Sequence, residues 1–193
     1  MSLESLTFAE HDRLLITPDV FSEQPRFEDI LKAKLSFIET GADPTTCVAL
    51  RPQIAGSWIR CRQMGIEPDR VCLNKEVAPE AYQRICDSNE YLVQTAQPLM
   101  HIIEDLHLSH DYIFELLDPS GIALHQLGDF QLHGFIAEHS IFNESTMGTN
   151  AHSLCMRHKT SYQVLGPEHY CFALHNLAAC AAPILDEHDE VLG

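Results

Sequence analysis

Asn150, His169, Tyr170 and Cys180 are the side chains of this chain whose types and spacing best suit chemistry. They lie among Asn143-Glu144, Gly148-Thr149-Asn150-Ala151, Glu168-His169-Tyr170 and Cys180-Ala181-Ala182-Pro183-Ile184-Leu185-Asp186. The chemistry they suit is recognition of a small polar molecule. Asn150, one residue after Thr149 at a helix start, either caps that helix or offers its amide to a ligand. His169 follows a strand; it either donates to a hydroxyl or keto oxygen or bonds to backbone and fixes its loop. Cys180 sits in a strand of small residues, where with Ala182 it leaves room for a ligand against a sheet. A reactive thiol needs an electropositive setting, and only His169 offers one, so space-filling is the favoured role for Cys180. Glu144, just before the helix start, suits the free N–H groups there and the positive end of the helix dipole.

Metal binding is not expected. His152 and His158 are six residues apart, as are His169 and His175, and neither pair shares a helical face well. Seven cysteines, at 47, 61, 72, 86, 155, 171 and 180, form no Cys-x-x-Cys, and their odd number and wide spacing argue against a disulfide framework.

The elements that must position these residues follow from periodicity. Residues 1–25 read as a loosely structured lead-in, with Pro18 and Pro25 breaking any pattern. Phe27, Ile30, Leu31, Leu35 and Ile38 fall at helical spacing, with Pro25 near the start and Gly41 just past the end. A second helix covers about 48–64; Ile54, Trp58 and Cys61 share a face and Gly65 closes it. Arg51, Arg60 and Arg62 make it the one locally basic segment, and pairing with acidic neighbours or facing water is their favoured role. After a connector at 66–77, a long helix from Pro79 to His107 carries the stripe Tyr82, Ile85, Cys86, Leu92, Val93, Ala96, Leu99, Ile103 and Leu106. Pro98 should kink or divide it. That helix suits a dimer seam or, by default, packing on its own domain.

Residues 112–117 read as a strand, Asp118-Pro119-Ser120-Gly121 as a β-turn, and 122–127 as the returning strand. A short helix from about Thr146 to His158, a strand over 161–165, an irregular stretch at 168–177 and a strand over 179–185 follow. The class is α+β with an antiparallel sheet.

Composition narrows the function. Lysine and arginine total 12 against 28 acidic residues, a formal net charge of −16. A surface that negative repels phosphate backbones and anionic lipid, so direct nucleic-acid binding is not expected. No apolar run approaches the roughly eighteen residues of a membrane span, and no secretory signal opens the chain. A cytoplasmic location is expected.

Three segments in order carry a resemblance to a known family. They are Ser57-Trp58-Ile59-Arg60-Cys61 with Gly65-Ile66-Glu67-Pro68; Asn143-Glu144 with Gly148-Thr149-Asn150-Ala151; and Glu168-His169-Tyr170 with Cys180-Ala181-Ala182-Pro183-Ile184-Leu185-Asp186. With them the chain resembles, from about residue 50 onward, the N-terminal GAF-type sensor region of sigma-54-dependent transcriptional activators of the acetoin-catabolism regulator type. Phe142 stands where the family has tryptophan, Ala181 where serine is common, and Asp189 where a glycine is usual. His152-Ser153-Leu154 replaces the family's Ile-Gly-Thr, on the helix that would flank the pocket.

The resemblance implies a GAF-like antiparallel sheet flanked by helices, preceded by an N-terminal helical extension. The expected layout is a lead-in at 1–25, a helical region at 26–77 and a GAF-like sensor domain at 78–193, cut before its last strand is complete. It implies a pocket walled by His169, Tyr170, Asn150, Cys180, Phe114 and Ala182 and supported by Glu144, Gly148, Thr149 and Glu168. The implied ligand is a small polar organic effector of the hydroxyketone or diol class, acting on a homodimer. DNA and RNA polymerase would be met only through an ATPase and a DNA-binding domain outside this chain, which has no Gly-x-x-x-x-Gly-Lys-(Ser/Thr) loop. No catalytic residue, metal, cofactor or membrane contact is expected. Two other classes stand beside this one. One is a protein-interaction module reading a metabolic enzyme subunit without a small ligand. The other is a thiol-based GAF reductase, which would need Cys155, Cys171 and Cys180 to converge.

Overall fold

The computed structural model describes residues 20–69, 77–105, 112–128 and 140–193. Helix α1 spans Val20–Thr40. Ile30, Lys34 and Phe37 recur on one face and are all buried. Gly41 follows in the left-handed region, φ +78°, and returns its N–H to the Phe37 carbonyl at 3.0 Å. The helix starts earlier than expected, inside the stretch read as a loose lead-in, and Pro25 lies within it. A proline this near the first turn deprives only one carbonyl of its donor, so the helix passes through.

Helix α2, Pro52–Gln63, opens on a proline whose missing N–H would be unpaired there in any case. Ile54, Trp58 and Cys61 share its fully buried face, as the periodicity indicates. The expected single helix from Pro79 is two: α3 at Pro79–Ser88 and α4 at Glu90–Asp105. The break falls at Asn89, not at Pro98. Asn89 donates its amide to the Ile85 carbonyl at 2.8 Å, and such local bonding competes with helix continuation. Pro98 stays inside α4. Leu99, expected on the inward stripe, is 61% exposed, because Met100 takes the inward position.

Strands β1, Ile113–Leu117, and β2, Ala123–Gly128, form an antiparallel hairpin. In its turn, Asp118 accepts from the N–H groups of Ser120 (3.0 Å) and Ile122 (2.7 Å). Helices α5, Glu144–Met147, and α6, Ala151–His158, are short and capped by Asn143 and Asn150. Strands β3, Tyr162–Leu165, and β4, Ala178–Ala181, form a second antiparallel hairpin, with two 3-10 turns between them. β4 stops well short of Leu185, since Pro183 has no N–H to give a ladder. Leu185 bridges to Val191 instead.

The class is α+β, but the single sheet expected is two two-stranded hairpins among the described residues. The closing segment lies beside both hairpins. Ile184 donates to the Gly193 carbonyl at 2.7 Å, and a Cβ at Gly193 would stand 2.8 Å from the Leu117 oxygen of β1. This segment thus abuts β1 and pairs next to the end of β4.

Among the described residues two clusters form the core. The larger joins Ile30, Phe37, Ile54 and Trp58 to Leu154, Val164, Tyr170 and Leu174. It crosses the boundary expected at 77/78, so the N-terminal helices and the C-terminal hairpin bury their apolar faces together. The smaller joins Met100 of α4 to Leu116 and Leu124 of the first hairpin. No disulfide joins the described cysteines, and no described helix is long and apolar enough to cross a membrane.

Candidate functional site

Glu168 has a fully buried side chain, and burying a carboxylate requires cationic partners and hydrogen bonds. Both are present. Arg26 donates to Oε1 at 2.6 Å and Arg51 to Oε2 at 2.5 Å and Oε1 at 3.1 Å. The Leu165 N–H adds a bond to Oε2 at 3.0 Å. The Glu168 carbonyl accepts the indole N–H of Trp58 at 2.8 Å. One residue therefore ties α1, the start of α2 and the turn after β3 together.

Glu144 holds a second network. Arg60 reaches it through Nε at 2.9 Å and its terminal nitrogen at 2.6 Å. Ser57 Oγ donates to Oε1 and lies 2.7 Å from Thr149 Oγ1. Burial pulls the Glu144 pKa up, but the bonds from Arg60 and Ser57 outweigh it and leave the carboxyl below its ordinary value. The arginines of α2 thus pair within the protein, and Arg62 donates to the Phe37 carbonyl at 2.6 Å.

A third cluster centres on Lys34, whose side chain gives no signal in the sequence beyond its helical position. It is completely buried. Its ammonium donates to the His169 carbonyl and, at 2.8 Å, to His175 Nε2, and it sits 4.8 Å from the centroid of the Trp58 ring. Burial pulls the ammonium down to about 7. Burial and the nearby Lys34 charge likewise bring His169 and His175 down to about 4. His169 Nδ1 lies 3.1 Å from the Gly166 carbonyl, the backbone-fixing role.

These shifts set a pH dependence. Between about 4 and 6.5 the unfolded chain binds protons that folded His169 and His175 refuse, so stability falls as pH drops through that window. Between about 7 and 10.5 the same relation holds for Lys34, so its contribution rises with pH. Urea unfolding at pH 4.5, 6.5, 7 and 9 is expected to show both trends. Lys34→Met should flatten the upper one; an unchanged slope in that variant would assign the effect elsewhere.

The remaining expected pocket residues do not converge. Asn150 caps α6, accepting from the Ser153 N–H at 2.8 Å while its amide donates to the Gly148 carbonyl at 2.9 Å. Tyr170 is buried in the larger core cluster. Cys180 and Ala182 are exposed, because the alternate residues Ala179 and Ala181 face the core. Phe114 packs in the smaller cluster under α4, on the opposite face of β1 from Leu117. The residue between them in the pleat, Glu115, shares Leu117's face and accepts from Gln126 across the hairpin at 2.6 Å. Burial pushes the Glu115 carboxyl up to about 7 against that bond. The sequence signals this polar pair only by a charged residue in an apolar strand. His152 is buried, with Nε2 3.2 Å from the Asp118 carbonyl.

Among the described residues no three His, Cys, Asp or Glu gather as a metal cluster. Cys155 and Cys171 are buried and Cys180 is exposed, and burial pushes the Cys155 thiol up to about 11, away from the reactive thiolate.

No family model matches the chain. It is 25% identical to a signal-transduction and transcriptional-control protein of Clostridium beijerinckii over 72% of its length. It is 25% identical to the acetoin dehydrogenase operon transcriptional activator AcoR of Bacillus subtilis over 75%, and 27% identical to the propane 2-monooxygenase operon transcriptional activator MimR of Mycolicibacterium goodii over 81%. The chain resembles activators of the acetoin-regulator type. It spans about a quarter of these curated relatives, 23% to 26% of each. Among solved structures, DhaR(N) in the E. coli DhaR(N)–DhaL complex shares its fold, with a TM-score of 0.69 over 74% of this chain and 50% of that one at 20% identity. The fold is thus α+β of the GAF-like kind, and the relatives are named as regulators, not enzymes.

The three segments that carry the resemblance take on a mechanical meaning in this fold. Ser57, Trp58 and Arg60 of the first segment bond to Thr149, Glu168 and Glu144 of the other two. The segments form a clasp holding α2 against the turns around β3 and α6. Gly148 lets that clasp close. Its φ is +67° and ψ −154°, and a Cβ there would meet Tyr170 Cβ at 2.9 Å. Gly148→Ala is expected to cost about 1–3 kcal/mol from backbone strain, read as a lower urea midpoint.

Proposed function

We propose that this chain is the signal-receiving module of a bacterial transcriptional activator, and that its signal is a small polar organic effector of the hydroxyketone or diol class. The observation that carries the regulatory reading is the clasp: the segments on which the resemblance to the activator type rests bond to one another across the larger core. Support for a polar effector comes from the Glu115–Gln126 pair on the face of the first hairpin turned toward that core. Near neutral pH such a carboxyl both donates and accepts, which suits hydroxyl and keto oxygens. His169 and Asn150, spent on internal bonds, then position the surrounding backbone. Effector binding would have to favour one of two arrangements of the module to control the ATPase and DNA-binding domains of a longer activator.

One observation favours a second reading. The fold is shared with DhaR(N), which is seen in complex with DhaL. On this reading the module docks a protein, and no small ligand is required.

Calorimetry with hydroxyketones and diols against the wild type and Glu115→Gln tests the first reading. Saturable binding that the variant weakens supports it. Absence of heat with every such compound, together with capture of a defined enzyme subunit, would replace it with the second.

A further inference from the structure

We infer that His152 and Ser153, at the start of α6, form a subsite that reads a hydroxyl group, the ligand O–H donating to His152 Nδ1. The inference rests on the small-effector reading above and narrows it: the effector must carry an O–H, and a keto oxygen alone does not satisfy the site. His152 stands where the first hairpin, the segment at 140–142 and α6 meet. Its Nε2 lies 3.2 Å from the Asp118 carbonyl, just past the end of β1, the strand that carries Glu115. Ile141 bridges to Ile122 beyond the same turn, and the Phe142 N–H donates to the Gly121 carbonyl at 2.6 Å. His152 is only 9% exposed. Its Nδ1 is buried without a hydrogen-bond partner among the described residues, and so are the hydroxyls of Ser153 and Ser140. Buried polar groups in proteins are nearly always paired, so orphans gathered at one junction mark a place for a polar guest.

The proton on the ring decides what that guest is. A carbonyl only accepts, so the nitrogen facing Asp118 carries the N–H. Burial lowers the His152 pKa; the backbone of Asp118 and of Phe142, both near the ring, favours protonation but is outweighed. Near neutral pH the imidazole is therefore uncharged, and Nδ1 presents a bare lone pair. Its complement is a donor; a keto oxygen would set lone pair against lone pair. An ammonium also donates, but a buried cation needs an anion, and the Asp118 carboxylate already accepts from the N–H groups of Ser120 and Ile122. A hydroxyl fits without charge. Ser153 Oγ both donates and accepts, and at about 100° round the helix from His152 it suits a second oxygen, hydroxyl or keto. The resemblance has isoleucine and glycine at these two positions, neither with a side-chain hydrogen bond to offer. The subsite thus comes from residues that set this chain apart.

Acetoin and butanone share four carbons and a keto oxygen and differ by one hydroxyl. Calorimetry on the wild type should show acetoin binding about 5- to 150-fold more tightly than butanone, the worth of satisfying a buried orphan. His152→Phe keeps a ring but no acceptor and should lose most of that preference. The nitrogen resonances of histidine-labelled wild type give a readout that does not depend on the variant folding. Nδ1 of His152 should resonate as an unprotonated nitrogen and move upfield as acetoin, but not butanone, is added. A preference that survives in folded His152→Phe overturns the subsite and leaves the effector reading standing. So does an Nδ1 that is protonated, or one that acetoin fails to move while its binding heat is still released. No heat from acetoin, butanone or butanediol overturns the effector reading, and the subsite with it.

Discussion

Glu168→Ala is expected to lower the unfolding free energy by about 3–5 kcal/mol, the range found when one partner of a buried ion pair is removed. The carboxylate is fully buried, whereas Arg26 and Arg51 keep 22% and 25% of their side-chain exposure. Its loss leaves two partly desolvated guanidiniums without their anion and the Leu165 N–H without its acceptor. Total stability of a single domain is about 5–15 kcal/mol, so this one substitution takes a large share of it. Glu168→Gln keeps the shape and an acceptor oxygen. It should cost less than alanine but more than about 1.5 kcal/mol, since bonds to charged groups are the stronger ones. Urea unfolding with an unchanged denaturant slope measures both. A loss under about 1 kcal/mol for the alanine variant would show that α1 and α2 are held chiefly by apolar packing.

Glu144 gives a useful contrast. Its carboxyl retains 11% exposure, and Arg157 stands at 3.8 Å as a second cation. Partial solvation of the carboxylate, and the 28% and 50% exposure of Arg60 and Arg157, soften its removal relative to Glu168. The two networks nevertheless act on the same helix, one near each end of α2. A signal that shifts either carboxylate would change how α2 sits on the turns around β3 and α6.

Much of the local structure was legible from near neighbours, although the helix break at Asn89 was not. The buried face of α2 follows from Ile54, Trp58 and Cys61 at helical spacing, and the hairpin turn follows from Asp118 to Gly121. Phase was not legible. A strand's two faces differ by one residue, and the sequence does not say that Phe114 packs in the smaller cluster while Leu117 faces the larger one, or that Ala179 and Ala181 are the β4 residues packed on the core. In β4 every residue is small, and size gives no clue to which half faces inward. In α4 the apolar residues cover more than half of the circumference, so the inward stripe could be drawn through Leu99 when Met100 belongs to it.

The clasp was half legible. Its residues were the ones singled out, and pairing of the α2 arginines with acidic groups was the favoured role. Which acid each one meets was not, because the partners are 84 residues apart for Arg60–Glu144 and 117 for Arg51–Glu168. Periodicity carries no information over that distance. Lys34 was invisible for a related reason: on a helix, a lysine between Ile30 and Phe37 looks like a solvated side chain. Only the assembled fold shows the His169 carbonyl and the Trp58 ring waiting for it.

Trp58→Ala is expected to cost about 3–5 kcal/mol, as truncation of a fully buried aromatic ring does. The ring contributes three separable interactions. It stacks on Phe37 with centroids 6.4 Å apart, its N–H donates to the Glu168 carbonyl, and its face holds the Lys34 ammonium. Trp58→Phe keeps an aromatic face and loses the N–H, so it should cost more than the roughly 1 kcal/mol of the bond by the volume it leaves unfilled. Alanine removes the face as well. The buried ammonium then loses its π partner, and the folded pKa of Lys34 should fall further below about 7. The rise of stability with pH attributed to Lys34 would accordingly begin at lower pH in Trp58→Ala than in Trp58→Phe. A cycle combining Trp58→Phe with Glu168→Gln tests whether indole and carboxylate act as one unit. A coupling of about 0.5–3 kcal/mol is expected for residues in one network. Strict additivity would mean that the segments around Trp58 and Glu168 meet without depending on each other there.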